Sequence, residues 1–357
     1  MKPILSSVAL AAVALSLTGC AIHGPSAEDI AVEQLATYQP RHSAPIFHGE
    51  NGARMSWDHM LNALADADVI VLGELHDDAF GHRVQLAIVE DMMTRHEGTA
   101  LSMEMLDRNE QATIDDYLAG MITQDQFIER TASTAWHRNT QAFLSGEMPK
   151  DEFVEKMNAF GWPDWMNNYL PIINAAKENN ARIIGANTPW ALYTRLANRE
   201  GYDALNALTD AQRVNFDLPH EILTGTYREN FWQVMAGRAE GDPVEDVETP
   251  HGVHPGMTDE SILGMFKSQL LMDATMAGSI ANALNTGSVR VIHLVGQFHS
   301  DFRGGTVQEL QYRKPGAKIM TVSLRRWDPA TQDEGRFTLQ PDDEDRADFV
   351  IYTQPAQ

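Results

Sequence analysis

The chain has 357 residues, 43% of them hydrophobic, which is enough for one large domain or two ordinary ones and too apolar for disorder throughout. Its 27 Lys and Arg stand against 50 Asp and Glu, a net charge of −23 that repels phosphate backbones and argues against nucleic acid as a partner. A single cysteine, Cys20, leaves no internal disulfide framework.

The N-terminus reads as an export signal. Lys2 precedes an apolar run over 4–17 that ends in Leu17-Thr18-Gly19-Cys20, the pattern of a bacterial lipobox. The run is too short for a comfortable membrane span, and lipid attachment accounts for a lone exported cysteine. Residues 1–19 are therefore expected to be a lipoprotein signal peptide. Residues 20–51 are expected to be a lipid-anchored tether with a strand-like piece over 44–47. Ala21, not Asp, follows the cysteine, which points to an outer-membrane lipoprotein facing the periplasm.

From Met55 onward helices and strands alternate. Ser56 caps a predicted helix reaching 64, a strand covers 69–72, and a helix over 80–95 places Val84, Ala87, Ile88 and Met92 on one face. A strand over 100–105 and a helix over 109–118 follow. Further along come a helix over 169–178, a strand over 181–187, a long helix over 261–284, and strands over 289–295 and 318–324. This alternation predicts an α/β domain over 52–357, a mostly parallel sheet flanked by helices. Helical insertions interrupt it at about 124–166 and 202–259. The second contains an acidic, Gly- and Pro-punctuated loop over 241–257, read as a lid.

Two strands close on short histidine motifs: Gly73-Glu74-Leu75-His76-Asp77-Asp78 and Gly296-Gln297-Phe298-His299-Ser300-Asp301. Ligands of open α/β sheets gather beyond the carboxyl ends of parallel strands, so both turns can face one site. Glu104, inside Leu101-Ser102-Met103-Glu104-Met105-Leu106, is a carboxylate that burial penalises unless it is paired. Asn187 ends a further strand. Two chemistries suit this set. A carboxylate can poise a neutral imidazole as a general base for water. Alternatively, Glu74, His76, Glu104 and His299 are a plausible divalent-metal set. His293 is read as a core histidine, and His251 and His254 as loop residues. Trp162, Trp165 and Tyr169 are read as core aromatics that could also wall a slot for a flat ligand, with Tyr169 as an oxygen ligand.

The stretch Ala67 to Asp78, Gln85-Leu86 and Ser102-Met103-Glu104-Met105-Leu106-Asp107-Arg108 resemble ChaN-type lipoproteins. So do Tyr169-Leu170-Pro171-Ile172, Ile184-Gly185-Ala186-Asn187-Thr188-Pro189, Gln269 with Asp273 and Met276-Ala277, and Gly296 with His299. The resemblance covers residues 57–352, weakly at the insertions, and agrees with the lipobox. It implies an iron-regulated haem-binding lipoprotein of iron acquisition, with haem held in an apolar slot between the subunits of a dimer and an outer-membrane haem or iron receptor as a partner. Tyr169 and Tyr227 are the candidate haem ligands, and Arg303 is a cation to offset the haem propionates. Phe298 makes the second histidine turn bulkier than in relatives.

The resemblance extends to a superfamily with TIKI proteases and erythromycin esterases, in which such residues form a hydrolytic or metal site. By position these are Glu74, His76, Glu104 and His299. A hydrolase, metal-dependent or not, is thus the alternative expectation. A structural or interaction lipoprotein, with relic polar strand ends, is the third.

Overall fold

The structure, a computed structural model, describes residues 35, 37–131, 142, 146–150, 152, 165–249, 252–327 and 338–353. The segment expected to be a signal peptide, Cys20, His251, Trp162 and most of the first insertion lie outside the described residues. A compact unit begins at Tyr38, so the segment expected to be the last part of a tether is folded into the domain. A short helix Pro40–Ser43 leads into strand β1 (Ile46–His48), which pairs antiparallel with β2 (Arg54–Met55).

Most of the remaining elements alternate as their sequence pattern predicts; the hairpin in the acidic loop and the last strand are additions to it. Helix α1 (Trp57–Leu64) starts at Ser56, whose hydroxyl accepts the His59 backbone N–H. Then come β3 (Val69–Glu74), α2 (Ala79–Arg95), β4 (Thr99–Asp107), α3 (Gln111–Leu118), α4 (Leu170–Glu178) and β5 (Ile183–Asn187). The second insertion contributes α5 (Thr226–Ala236). Its acidic loop is a two-stranded hairpin of β6 (Val247–Thr249) and β7 (Gly252–His254). Helix α6 (Asp259–Asn285), β8 (Arg290–Gly296), α7 (Gly305–Arg313), β9 (Ile319–Arg325) and β10 (Phe349–Tyr352) complete the chain.

Eight strands form one sheet in the order β2-β1-β10-β9-β3-β8-β4-β5. Pairing is parallel from β10 through β5, and only β1 and β2 run antiparallel, at one edge. The continuous apolar runs of β3 and β8 are what strands covered on both faces require, and every residue of each is buried. Ile70, Leu72, Leu101, Met103 and Leu294 pack on one face against α1, α2 and α4. Val69, Val71, Val291 and Val295 pack on the other face against Met276, Ala277 and Ile280 of α6 and Val307 and Leu310 of α7. Each such aliphatic side chain contributes about 1.5–3 kcal/mol on full burial.

Strand order creates the position for a site. β8 lies between β3 and β4, and the helices that follow β3 and β8 pack on opposite faces of the sheet. Chains leaving adjacent strands in opposite directions open a crevice at the strand tops, the usual place for ligands in doubly wound sheets. The register sets Glu74 opposite Gly296 at the end of both strands.

Candidate functional site: carboxylates and histidines at the strand ends

Side-chain alternation sends Glu74 and Glu104 to opposite faces. Glu74 follows Ile70 and Leu72 towards α2 and α4, whereas Glu104 follows Ala100 and Ser102 towards α6. A bulge lies beside Glu104, because Met103 pairs with Gly185 and Asp107 with Asn187, leaving Glu104–Leu106 opposite Ala186 alone. Bulges re-aim side chains and are frequent beside functional sites. Gly185 permits this one, since a Cβ there would lie 2.4 Å from the Asp107 carbonyl oxygen.

Glu74 is buried and fully engaged. Its Oε1 accepts the Tyr169 hydroxyl at 2.6 Å and the His76 Nδ1–H at 2.9 Å, and its Oε2 accepts the Gln85 amide. Behind Gln85, His82 faces the Gln85 Oε1 at 2.9 Å and the His76 carbonyl at 3.1 Å. Burial penalises the Glu74 carboxylate, but the imidazoles of His82 and His76 and the Tyr169 hydroxyl outweigh it and hold its pKa below the usual range. Burial also opposes protonation of His76, yet its bond to Glu74 and the charges of Glu104 and Glu74 prevail, so its pKa is raised. The His76 side chain is 33% exposed while Glu74 is 1% exposed, which makes His76 the group of this pair that meets solvent.

A second set forms on the α6 side. Glu104 Oε2 accepts the Gly296 N–H at 2.6 Å, and its Oε1 lies 3.4 Å from His299 Nε2. His299 Nδ1 donates to Asp273 Oδ1 at 2.7 Å, and Asp273 also accepts the hydroxyls of Tyr227 at 2.7 Å and Thr306 at 2.8 Å. Burial disfavours the imidazolium of His299, but Asp273 and Glu104 on its two sides push its pKa up to about 10. Burial likewise works against the Glu104 carboxylate, and His299 outweighs it, bringing that pKa down to about 2. Gly296 joins the two sets: a Cβ there would stand 2.9 Å from His76 Cε1 and Nε2 and 3.5 Å from Glu104 Oε2.

The structure thus brings Glu74, His76, Glu104 and His299 to one crevice. Asn187 closes its strand on a local turn instead, its Oδ1 accepting the Thr188 N–H at 2.8 Å. Other residues singled out in the sequence are engaged by neighbours. The phenols of Tyr169 and Tyr227, expected as haem ligands, are buried and donate to Glu74 and Asp273. Arg303 is paired with Asp348 at 3.2 Å. Among the described residues no group of three or more His, Cys, Asp or Glu side chains is arranged to hold a metal ion. The Glu74 and Glu104 oxygens are instead spent on hydroxyl, amide, imidazole and backbone donors. His293 is buried, with Nδ1 bonded to the Ser102 hydroxyl at 3.0 Å and Nε2 without a hydrogen-bond partner among the described residues. Burial pulls its pKa down to about 4, so the ring is neutral. Trp165 packs 5.2 Å from Tyr169 in the core, and Phe298 lies 5.4 Å from Tyr227 in an aromatic cluster with Phe231 and Phe266.

Gln85 and Asp273 stand out in the sequence only through the family resemblance, with no role assigned, and His82 and Thr306 do not stand out at all. The available signal was polarity on an apolar face. Gln85 interrupts the buried stripe of α2, and Asp273 interrupts Leu270-Leu271-Met272-Asp273-Ala274 of α6.

Comparison with known proteins agrees with the fold. The family described as haem-binding uptake, Tiki superfamily, ChaN matches residues 60–310. A solved structure described as cofacial heme binding to ChaN of Campylobacter jejuni superimposes with a TM-score of 0.52 at 17% identity, covering 88% of this chain and 98% of that one. The type III effector HopBA1 gives a TM-score of 0.43 at 10% identity, covering 89% of this chain and 100% of that one. A protein of Bacillus cereus gives 0.38 at 11% identity, covering 87% and 80%. None of the curated proteins matches the chain.

Proposed function

Because the chain belongs to the haem-binding uptake family of the Tiki superfamily, ChaN, we propose that it is a haem-binding lipoprotein of iron acquisition. The observation that carries this reading is the extent of the family match, residues 60–310, which encloses every residue of the strand-end site from Glu74 to Thr306. The lipobox at Leu17–Cys20 supports anchoring through Cys20 to the outer membrane, facing the periplasm. Haem held at a dimer interface, and a haem or iron receptor as partner, belong to the same reading. The test is a hemin titration of the full chain followed by absorbance. A saturable Soret shift is expected, and its absence overturns the reading. Since both phenols are already bonded to carboxylates, Tyr169→Phe and Tyr227→Phe are expected to retain the band. Loss of the band in either, with folding intact, would make that tyrosine an iron ligand.

A second reading rests on the partly exposed His76 held by a buried carboxylate at a switch point of the sheet. We infer that this pair can serve hydrolysis. The Glu74 carboxylate accepts the Nδ1–H and fixes the tautomer, and the opposite ring nitrogen takes a proton from an attacking water. The imidazole must be neutral to do so. With its pKa raised above 6.5, the rate is expected to climb with pH through a midpoint above that value. His76→Ala is expected to abolish ester or amide hydrolysis and leave the circular dichroism spectrum unchanged. Absence of any hydrolysis by the unsubstituted chain, with or without added divalent metal, removes this reading.

A further inference from the structure

Away from the strand tops, a groove of about 640 Å³ runs along the open edge of the sheet beside β5. None of Glu74, His76, Glu104 or His299 lines it. The volume suits a small ligand, but the lining is polar, so an apolar macrocycle is not what it matches. Arg108 follows β4, Arg182 precedes β5, and Arg313 ends α7, so three arginines from separate elements line the groove, with Asp217 as the carboxylate among them. Three cations against one carboxylate give the lining a positive balance in a chain whose net charge is −23.

The cations are held in place by the fold. Arg108 is bound to Asp217 at 2.8 Å, the Thr275 carbonyl at 2.7 Å and the Ser279 hydroxyl at 2.9 Å. A Cβ on Gly278 would stand 2.0 Å from Asp217 Oδ2, so glycine is what lets this pair cross α6. Arg313 donates to the Leu218 carbonyl at 2.9 Å and shares Glu309 with His220. Arg182 and the nearby Lys314 have no carboxylate partner among the described residues. Arg182 donates to the Thr286 hydroxyl at 2.8 Å, and Lys314, outside the lining, donates at 2.9 Å to Oδ1 of Asn285, which lines the groove. Guanidinium forks pair geometrically with carboxylate and phosphate oxygens, and positions fixed in advance reduce the entropy lost on binding.

We propose that this groove binds a small ligand carrying at least two anionic oxygen groups, bridged between Arg182 and the Arg108 and Arg313 side. Isothermal titration of the full chain at low ionic strength, with pyrophosphate and separately with citrate, tests it. Saturable one-to-one binding of at least one probe is expected, and the two arms tell phosphate from carboxylate. Arg182→Ala, at an exposed position, is expected to weaken binding about tenfold, the effect of one charge-assisted hydrogen bond. Arg83→Ala, exposed on α2 and outside the groove, is expected to leave it unchanged. Binding of neither probe, or equal weakening by both substitutions, overturns the site. In that case Arg182 and Lys314 serve only the carboxyl end of α6, and Arg182→Ala lowers thermal stability alone.

Discussion

His299 shows how a residue expected to react can be locked by its neighbours. Asp273 at 2.7 Å and Glu104 at 3.4 Å bracket an imidazolium whose pKa lies near 10. Its folded pKa is raised, so its contribution to stability is complete below its unfolded value of 6.5 and is lost as pH rises through about 10. Glu104 is depressed to about 2, so its contribution is complete above 4.5 and is lost as pH falls towards about 2. Denaturant unfolding followed across pH should therefore weaken on both sides of a plateau spanning 4.5–6.5. Asp273→Asn is expected to destabilise the fold by about 3–5 kcal/mol, because it leaves a buried charge half-paired. It should also pull the alkaline limb of the profile to lower pH. An unchanged alkaline limb in that variant would mean that Asp273 does not hold the proton on His299. Reactivity towards an outside molecule thus falls to His76, the partly exposed member of the set.

Among the elements, the edge strand β5 carries its own protection. The Gln111 side chain donates to the Ile183 carbonyl at 2.8 Å and accepts the Gly185 N–H at 3.0 Å. One side-chain amide thereby occupies the backbone groups that a further strand would use, and exposed edges are where sheets join improperly. Gln111→Ala is expected to lower stability by about 1–3 kcal/mol through the unmade hydrogen bonds. It should also speed aggregation measured by light scattering. Stability loss without faster aggregation would show that the amide serves the strand and not its edge. The opposite edge is managed differently, by antiparallel β1 and β2 drawn from the segment before α1. That segment's Ile46 and Phe47 are each 1% exposed, which explains why the domain starts at Tyr38 and not after residue 51.

At the scale of the whole molecule, charge is the dominant surface property. A net charge of −23 keeps copies apart at neutral pH, and repulsion fades as the pH approaches the isoelectric point near 4.8. Turbidity against pH should peak close to that value and diminish on either side; a flat profile would mean that other forces control association. The sheet separates two regions with different chemistry. The strand tops hold carboxylates and histidines in compensating pairs, and the β5 edge gathers cations against this acidic background.

The sequence by itself determined the central strands and the residues that close them, because an apolar run covered on both faces and a polar turn after it are local patterns, whereas the short β2 and β10 and the β6–β7 hairpin carried no such signal. From that alone Glu74, His76, Glu104 and His299 stood out as a set. Tertiary structure decided the rest. That β8 runs between β3 and β4, and that Glu104 meets the Gly296 N–H 192 residues away, are outcomes of strand order, which periodicity does not encode. The partners were equally hidden. Asp273 and Gln85 sit on helices whose distance from the strand ends is set only when both faces of the sheet are packed. Tyr169 and Tyr227 look like open oxygen ligands in a string of letters. In the fold their hydroxyls lie beside carboxylates, and a buried charge takes the nearest donor it can reach.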